Sequence, residues 1–196
     1  MTRDPFDFLV LPDFVRPEAR AAINRDYPNV QHGGSYPVDV LRYGPAFAAL
    51  LGELNGRETR RAFEDKFEVD LQHHPTMTTV RGRCTRRDGG IHTDSKTKII
   101  SVLIYLNPGW HEAGGSLRLL RSADDLEDVI REIPPEDGTL VSFRRSDNSF
   151  HGHTPFVGER RVLQFNWVTR PEVVRREVRR HRFSAWLKAI LLAPSP

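Results

Sequence analysis

His92 and Asp94 stand one residue apart, around Thr93. On an extended strand, residues two apart project to the same face, so an imidazole and a carboxylate at this spacing can reach one ion together. A third donor of the right kind, His151, lies in Phe150-His151-Gly152-His153, downstream of a long strand-like stretch. Two histidines and one carboxylate on one side of an ion leave its other positions open, which is the arrangement of mononuclear non-haem Fe(II) oxygenases. A His-x-Asp pair alone occurs by chance in many sequences, and His151 taken alone reads as a polar loop residue. The metal reading rests on the three together.

The rest of the chain must hold these residues in place. At 196 residues it is long enough for one domain with a substantial core and too short for two comfortable ones. We therefore expect a single domain over 1–196, with a catalytic core over 77–168 and a C-terminal helix over 171–192. Hydrophobic content of 38% beside 28% charged residues describes a soluble globular chain, with no apolar run approaching a membrane span. The first twenty residues, with Asp4, Pro5, Asp7, Pro12 and Asp13 among them, do not resemble a secretory signal, so a cytoplasmic location is expected. A single cysteine, Cys84, excludes an internal disulfide and a Cys-based zinc cluster, and reads as a small core residue of a strand. Arginine peaks in Arg175-Arg176-Glu177-Val178-Arg179-Arg180, which reads as a solvated helix face before it reads as a nucleic-acid surface.

Phe6 to Leu11 reads as an opening strand closed by Pro12-Asp13. Pro17-Glu18 then introduces a helix over Ala19 to Arg25, with proline in its first turn and an acid at the positive end of the dipole. Tyr27 to Tyr43 is loop-rich and long enough to cover a site. Helices are predicted over Phe47 to Leu54 and Glu58 to Phe67. Extended structure begins at Met77 to Arg83, before the turn residues Arg86-Arg87-Asp88-Gly89-Gly90 deliver the chain to His92. The adjacent His73 and His74 point to opposite faces of any strand and read as loop residues. Lys98 to Leu106 is the clearest strand, apolar enough to be covered on both faces. Ser116 to Leu120 and Thr139 to Phe143 are further strands. Between them, Ser122 with Asp125 predicts a short helix carrying Leu126, Val129 and Ile130, ended by Pro134-Pro135. The last strand is Arg160 to Thr169, and a helix with Val174, Val178, Trp186, Leu187, Ile190 and Leu191 on its apolar side runs on towards Leu192. Helices flanking a run of short strands predict an α+β fold in which helices brace a β-barrel or sandwich.

His92-Thr93-Asp94, Ile104 to Trp110, Gly114 to Leu117, Pro135 to Phe143 and His151 to Arg161 together resemble the Fe(II)- and 2-oxoglutarate-dependent dioxygenases of the prolyl-hydroxylase type. The resemblance covers about Met77 to Val168. It implies a double-stranded β-helix, a jelly-roll barrel braced by N-terminal and C-terminal helices, with His92, Asp94 and His151 as metal ligands. It also implies Fe(II), 2-oxoglutarate and O2 as cofactor and cosubstrates, with ascorbate a candidate addition, and hydroxylation with release of succinate and CO2.

In that family the far carboxylate of 2-oxoglutarate meets a basic side chain near the start of the final strand, a task suited to the bidentate guanidinium. Arg160 and Arg161 compete for it, because alternation lets only one enter the barrel. Arg160 is preferred: it would bring Val162, Gln164 and Asn166 inward and leave Leu163, Phe165 and Trp167 beneath the helices. A tryptophan six residues after the basic residue, found in many relatives, would instead select Arg161 with Trp167. Tyr105 matches a position where relatives place a hydroxyl on the same carboxylate, and otherwise reads as a core aromatic. His153 is a surface or supporting candidate. The resemblance makes a peptidyl (prolyl) residue or a small metabolite the expected substrate. The Tyr27 to Tyr43 loop and Arg81 to Gly90 are candidate walls, and Arg83, Arg86 and Arg87 candidate contacts to an acidic group. The alternative is a non-oxygenase, cupin-like metal- or ligand-binding protein. Nucleic acid is not the expected partner, and the Trp186 to Leu192 face is the candidate for pairing with a second subunit.

Overall fold

In the computed structural model, which describes residues 1–180, strand β1 (Phe8–Leu11) precedes helix α1 (Pro17–Arg25). The following connection holds a two-residue strand, β2 (Tyr36–Pro37), and a 3-10 turn (Val38–Val40) before helices α2 (Pro45–Leu54) and α3 (Arg57–Phe67). The strands then run β3 (Thr76–Cys84), β4 (Lys98–Tyr105), β5 (Leu117–Leu120), β6 (Val129–Ile133), β7 (Leu140–Arg144), β8 (His151–His153) and β9 (Gly158–Val168). Residues 171–180 are helical. The apolar residues expected on that helix beyond 180, Trp186 to Leu192 among them, lie outside the described residues.

The helices form where the residue pattern predicts them, and their ends show why. Pro17 and Glu18 sit in the first turn of α1 and Arg25 in its last. Gly44, which precedes α2, has no side chain to cap it, so Asp26 acts from outside and accepts the Ala46 N–H at 2.8 Å. Glycine is required at that point, since a Cβ there would stand 2.4 Å from the Asp26 carboxyl carbon.

Two antiparallel sheets result. The larger has the order β1-β7-β4-β9-β3-β2 and the smaller β6-β5-β8. Among the described residues, hydrogen bonding does not run continuously round to close a barrel. The outer face of the large sheet buries Val80, Ile100, Val102, Ile104, Leu163, Phe165 and Trp167 against Ile23, Phe47, Leu50, Leu54, Phe63 and Phe67 of the three helices. Its inner face joins the small sheet through Tyr105, Val141, Phe143 and Val162 with Leu117, Leu119 and Ile133. The continuous apolar run of β4 is thus covered on both sides.

One expected element is different. The Ser122–Asp125 segment starts no helix: Asp125 turns its carboxylate onto the Glu127 N–H at 2.8 Å, a local turn that competes with helix initiation. Val129 and Ile130 then enter β6, where Leu117 pairs with Ile133 and Leu119 with Arg131. Two adjacent β-branched residues beside an open strand edge favour pairing over a helical turn. The arginine cluster lies on residues 171–180, with Arg175 paired to Glu172 at 2.6 Å and Arg180 to Glu177 at 2.5 Å.

Trp167 is 1% exposed between Phe63 and Phe165, and its Nε1 has no hydrogen-bond partner among the described residues. Trp167→Ala should therefore lower stability by about 3–5 kcal/mol. Trp167→Phe, which removes the unpaired donor along with some volume, should cost less than about 1.5 kcal/mol. Urea unfolding checks both, and equal losses for the two would contradict this account of the core.

Candidate metal and cosubstrate site

His92 lies in the irregular segment after β3 and makes one antiparallel bridge with His151, the first residue of β8. Each N–H donates to the other's carbonyl, at 3.0 and 2.9 Å, which sets the two imidazoles side by side with centroids 4.3 Å apart. Nδ1 of His92 lies 2.9 Å from Gly90 O, and Nδ1 of His151 lies 3.0 Å from Ser149 O. A carbonyl only accepts, so both Nδ1 atoms carry the proton and both Nε2 lone pairs are left for an ion. Ligand atoms of His92, Asp94 and His151 all fall within 4.8 Å of one another.

The carboxylate of Asp94 is held from two sides, by Lys98 Nζ at 2.8 Å and by the Ser101 hydroxyl, while Arg145 Nε binds its main-chain carbonyl at 3.1 Å. Burial raises the Asp94 pKa, but the Lys98 ammonium and these hydrogen bonds more than offset it and hold the group at about 2. Burial pushes His151 down to about 4. At neutral pH the carboxylate is ionised and that imidazole neutral, the forms in which each binds a metal.

At the inner end of the same cavity Arg160 is buried, 5% exposed. Its Nε donates to Gly115 O at 2.8 Å and its Nη2 to the Tyr105 hydroxyl at 3.3 Å, with the guanidinium 5.1 Å from the Tyr105 ring centroid. No carboxylate of the described residues pairs with it. A buried cation without an acid is costly, so this end of the cavity suits an anionic group. Burial raises the Tyr105 phenol above its ordinary value, outweighing Arg160, so the hydroxyl stays neutral and able to donate. His153 lies here too, away from the triad, with Nδ1 2.9 Å from Thr154 O and Nε2 3.9 Å from Cys84 Sγ. Arg161 is on the opposite face, paired with Glu159 at 2.7 Å and lying over Tyr27.

Residues 73–169 match the model of the 2OG-Fe(II) oxygenase superfamily. The chain belongs to that superfamily. Its fold is shared with a prolyl-4-hydroxylase from Pseudomonas putida, at 21% identity and a TM-score of 0.60 over 83% of this chain and 92% of that one. A viral collagen prolyl hydroxylase from Paramecium bursaria Chlorella virus-1, in complex with 2OG, matches at 14% identity and TM-score 0.57, over 84% of this chain and 97% of that one. HygX from Streptomyces hygroscopicus, with nickel and 2-oxoglutarate bound, matches at 14% identity and TM-score 0.54, over 82% of this chain and 81% of that one. No curated protein sequence matches the chain. The superfamily assigns Fe(II) and 2-oxoglutarate to this oxygenase, in place of the cupin-like alternative, and its fold is the double-stranded β-helix. No helix among the described residues is long and apolar enough to cross a membrane.

Several side chains of the oxygenase site carry no motif. Lys98 and Ser101 grip Asp94, yet in sequence they are the edge of an apolar strand; the available signal was the alternation that puts Ser101, Leu103 and Tyr105 on one face. Of the arginines between 81 and 87, Arg83, Arg86 and Arg87 are exposed, and Arg81 is the one that lines the cavity. Asp88 pairs with it and also accepts the Thr85 N–H at 2.7 Å and the Thr85 hydroxyl at 2.8 Å. This ties down the loop that leads to His92. Gly89 seats the loop on β8, accepting the His153 N–H at 3.1 Å at a φ of 99°.

Although burial opposes it, the Thr85 hydrogen bonds and the Arg81 cation hold Asp88 below its ordinary pKa of 3.8. A depressed carboxylate pKa contributes stability that is present above 3.8 and lost as pH falls through the lower folded value. Asp88→Asn should thus be less stable than the parent at pH 7, by about 1 kcal/mol for a partly exposed pair. The gap should shrink as unfolding is followed from pH 5 into the acid range below 3.8. A gap constant with pH would show that Asp88 does not contribute through its charge.

Proposed function

We propose that the oxygenase binds Fe(II) through Nε2 of His92, Nε2 of His151 and the carboxylate of Asp94. Arg160 and Tyr105 would hold the far carboxylate of 2-oxoglutarate, and the substrate would be a peptidyl prolyl residue. The observation that carries this reading is one cavity with three ligand atoms within 4.8 Å at one position and a buried guanidinium without an acid at another. The substrate class is supported by the fold shared with enzymes described as prolyl hydroxylases.

Each residue then has a physical task. Lys98 and Ser101 restrict the Asp94 carboxylate to one orientation, and the carbonyls of Gly90 and Ser149 fix the imidazole tautomers and ring planes. The guanidinium of Arg160 stays charged and offers a fork to a carboxylate, while Tyr105 adds a neutral donor beside it. Leu103, Leu117, Phe143 and Val162 line the cavity and limit its water. When bound, Fe(II) with 2-oxoglutarate and O2 supplies the oxidation that yields succinate, CO2 and the hydroxylated product.

Protein loaded with Fe(II) in air should form succinate from 2-oxoglutarate slowly without substrate, and His151→Ala should abolish this. Arg160→Ala should weaken anaerobic 2-oxoglutarate binding by about 3 kcal/mol, roughly a hundredfold. Arg161→Ala, on the helix side, should change it less than threefold; the reverse order would move the cosubstrate to the other face of β9. Lys98→Met should lower metal affinity about 10–100-fold, read by competition with a chelator, and unchanged affinity would reject its orienting task.

A further inference from the structure

Past the triad the cavity opens into an outer chamber, and the two share His92, Asp94, Lys98, Gln164 and Asn166. Charged groups lining this chamber are paired within the protein. Lys98 lies 2.8 Å from Asp94, and Glu177 has Arg176 at 3.4 Å and Arg180 at 2.5 Å. The unmatched groups are neutral. Gln164 and Asn166 are consecutive inward positions of β9, about 7 Å apart along one face.

Each amide is anchored at one end. Gln164 Oε1 accepts the Thr79 hydroxyl at 3.0 Å and the Ser35 hydroxyl at 3.4 Å, which directs its Nε2 hydrogens away from both. Asn166, 2% exposed, gives Nδ2 to Met77 O at 3.5 Å; that carbonyl only accepts, so Oδ1 is the free end. No described residue bonds either free end. Both residues line the chamber, so a ligand that displaces solvent from these two ends must offer an acceptor to one and a donor to the other.

We infer that Gln164 and Asn166 are specificity-determining residues which read the C=O and N–H of a neutral amide in the substrate, beside the carbon that is oxidised. This rests on the oxygenase site proposed above. A free carboxylate fits poorly, because it brings a second acceptor to Asn166 Oδ1 and finds no unpaired cation among the described residues that line the chamber. A sugar ring fits poorly as well: no Phe, Tyr or Trp among the described residues lines the chamber to stack on it. Met77, Val168 and Val173 supply an aliphatic patch for the residue that carries the amide. A peptide unit on an aliphatic residue meets all of these conditions.

The test is anaerobic equilibrium binding to the Fe(II)- and 2-oxoglutarate-loaded protein, with N-acetyl-Ala-Pro-Ala-amide as probe and L-proline and glucose for comparison. The blocked tripeptide should bind at least tenfold more tightly than either. Gln164→Glu keeps the acceptor facing Thr79 and Ser35 but replaces the donor. In it, tripeptide affinity relative to 2-oxoglutarate affinity should fall at least tenfold. Thr79→Val, which only frees the Gln164 amide to turn, should show a smaller fall in the same ratio, and this keeps the test valid if Gln164→Glu fails to fold. Equal losses of tripeptide and 2-oxoglutarate would make Gln164 a cosubstrate ligand and overturn the inference. So would tighter binding of L-proline or glucose, or no tripeptide binding while 2-oxoglutarate still binds. A parent protein that binds no 2-oxoglutarate would refute the proposed site itself, and this inference with it.

Discussion

Strand β9 is hydrogen-bonded along both edges, to β4 and to β3, and this double pairing sets which of its side chains face the cavity. A slip of one residue would exchange the two faces. It would drive Arg160, Gln164 and Asn166 into the packed layer under the helices and turn Leu163, Phe165 and Trp167 into the cavity. Withdrawing each of those large apolar groups from the core forfeits about 1.5–3 kcal/mol, before the burial of a guanidinium among them is counted. The helix-side core therefore enforces the orientation of the polar face, although it touches none of the chemistry.

The same logic explains why the site can be electrostatically divided. Asp94 lies at one end among groups that stabilise its charge, and Arg160 at the other without an acid. Had the two been adjacent they would have neutralised each other and left little for ligands. On β4 the rungs decide their separation: Ser101 pairs with Asn166 and Tyr105 with Val162, so the residues that support Asp94 and Arg160 sit at opposite ends of one strand.

Those features were legible in the sequence to different degrees. The His92-x-Asp94 spacing, His151 and the alternation of Arg160 with Leu163, Phe165 and Trp167 could be read directly, because strand periodicity and residue type suffice for them. Lys98 and Ser101 could not. Their tasks depend on where the 93–97 segment folds back, which no local pattern encodes. The Ser122–Asp125 segment was misread because its local signal is the same for a helix start and for an Asx turn. Tertiary pairing of Val129–Ile133 with β5 decided between them. Arg81 likewise looked no different from Arg83, Arg86 and Arg87, and it is distinguished only by its rung opposite Val162, which places it on the inward face.

Stability and specificity are thereby carried on opposite faces of one sheet. From Leu163 to Trp167 the outer face of β9 is apolar and packed by three helices, so polar substitutions on the inner face leave the main core intact. That separation lets Gln164 and Asn166 present polar ends to the chamber without interrupting the helix-side packing. It also places the recognising groups on a centrally paired strand, where their backbone positions are held more firmly than on the Tyr27–Tyr43 loop. Ser35 shows how the two cooperate: the loop contributes a hydroxyl that orients Gln164, while the strand fixes where that amide stands.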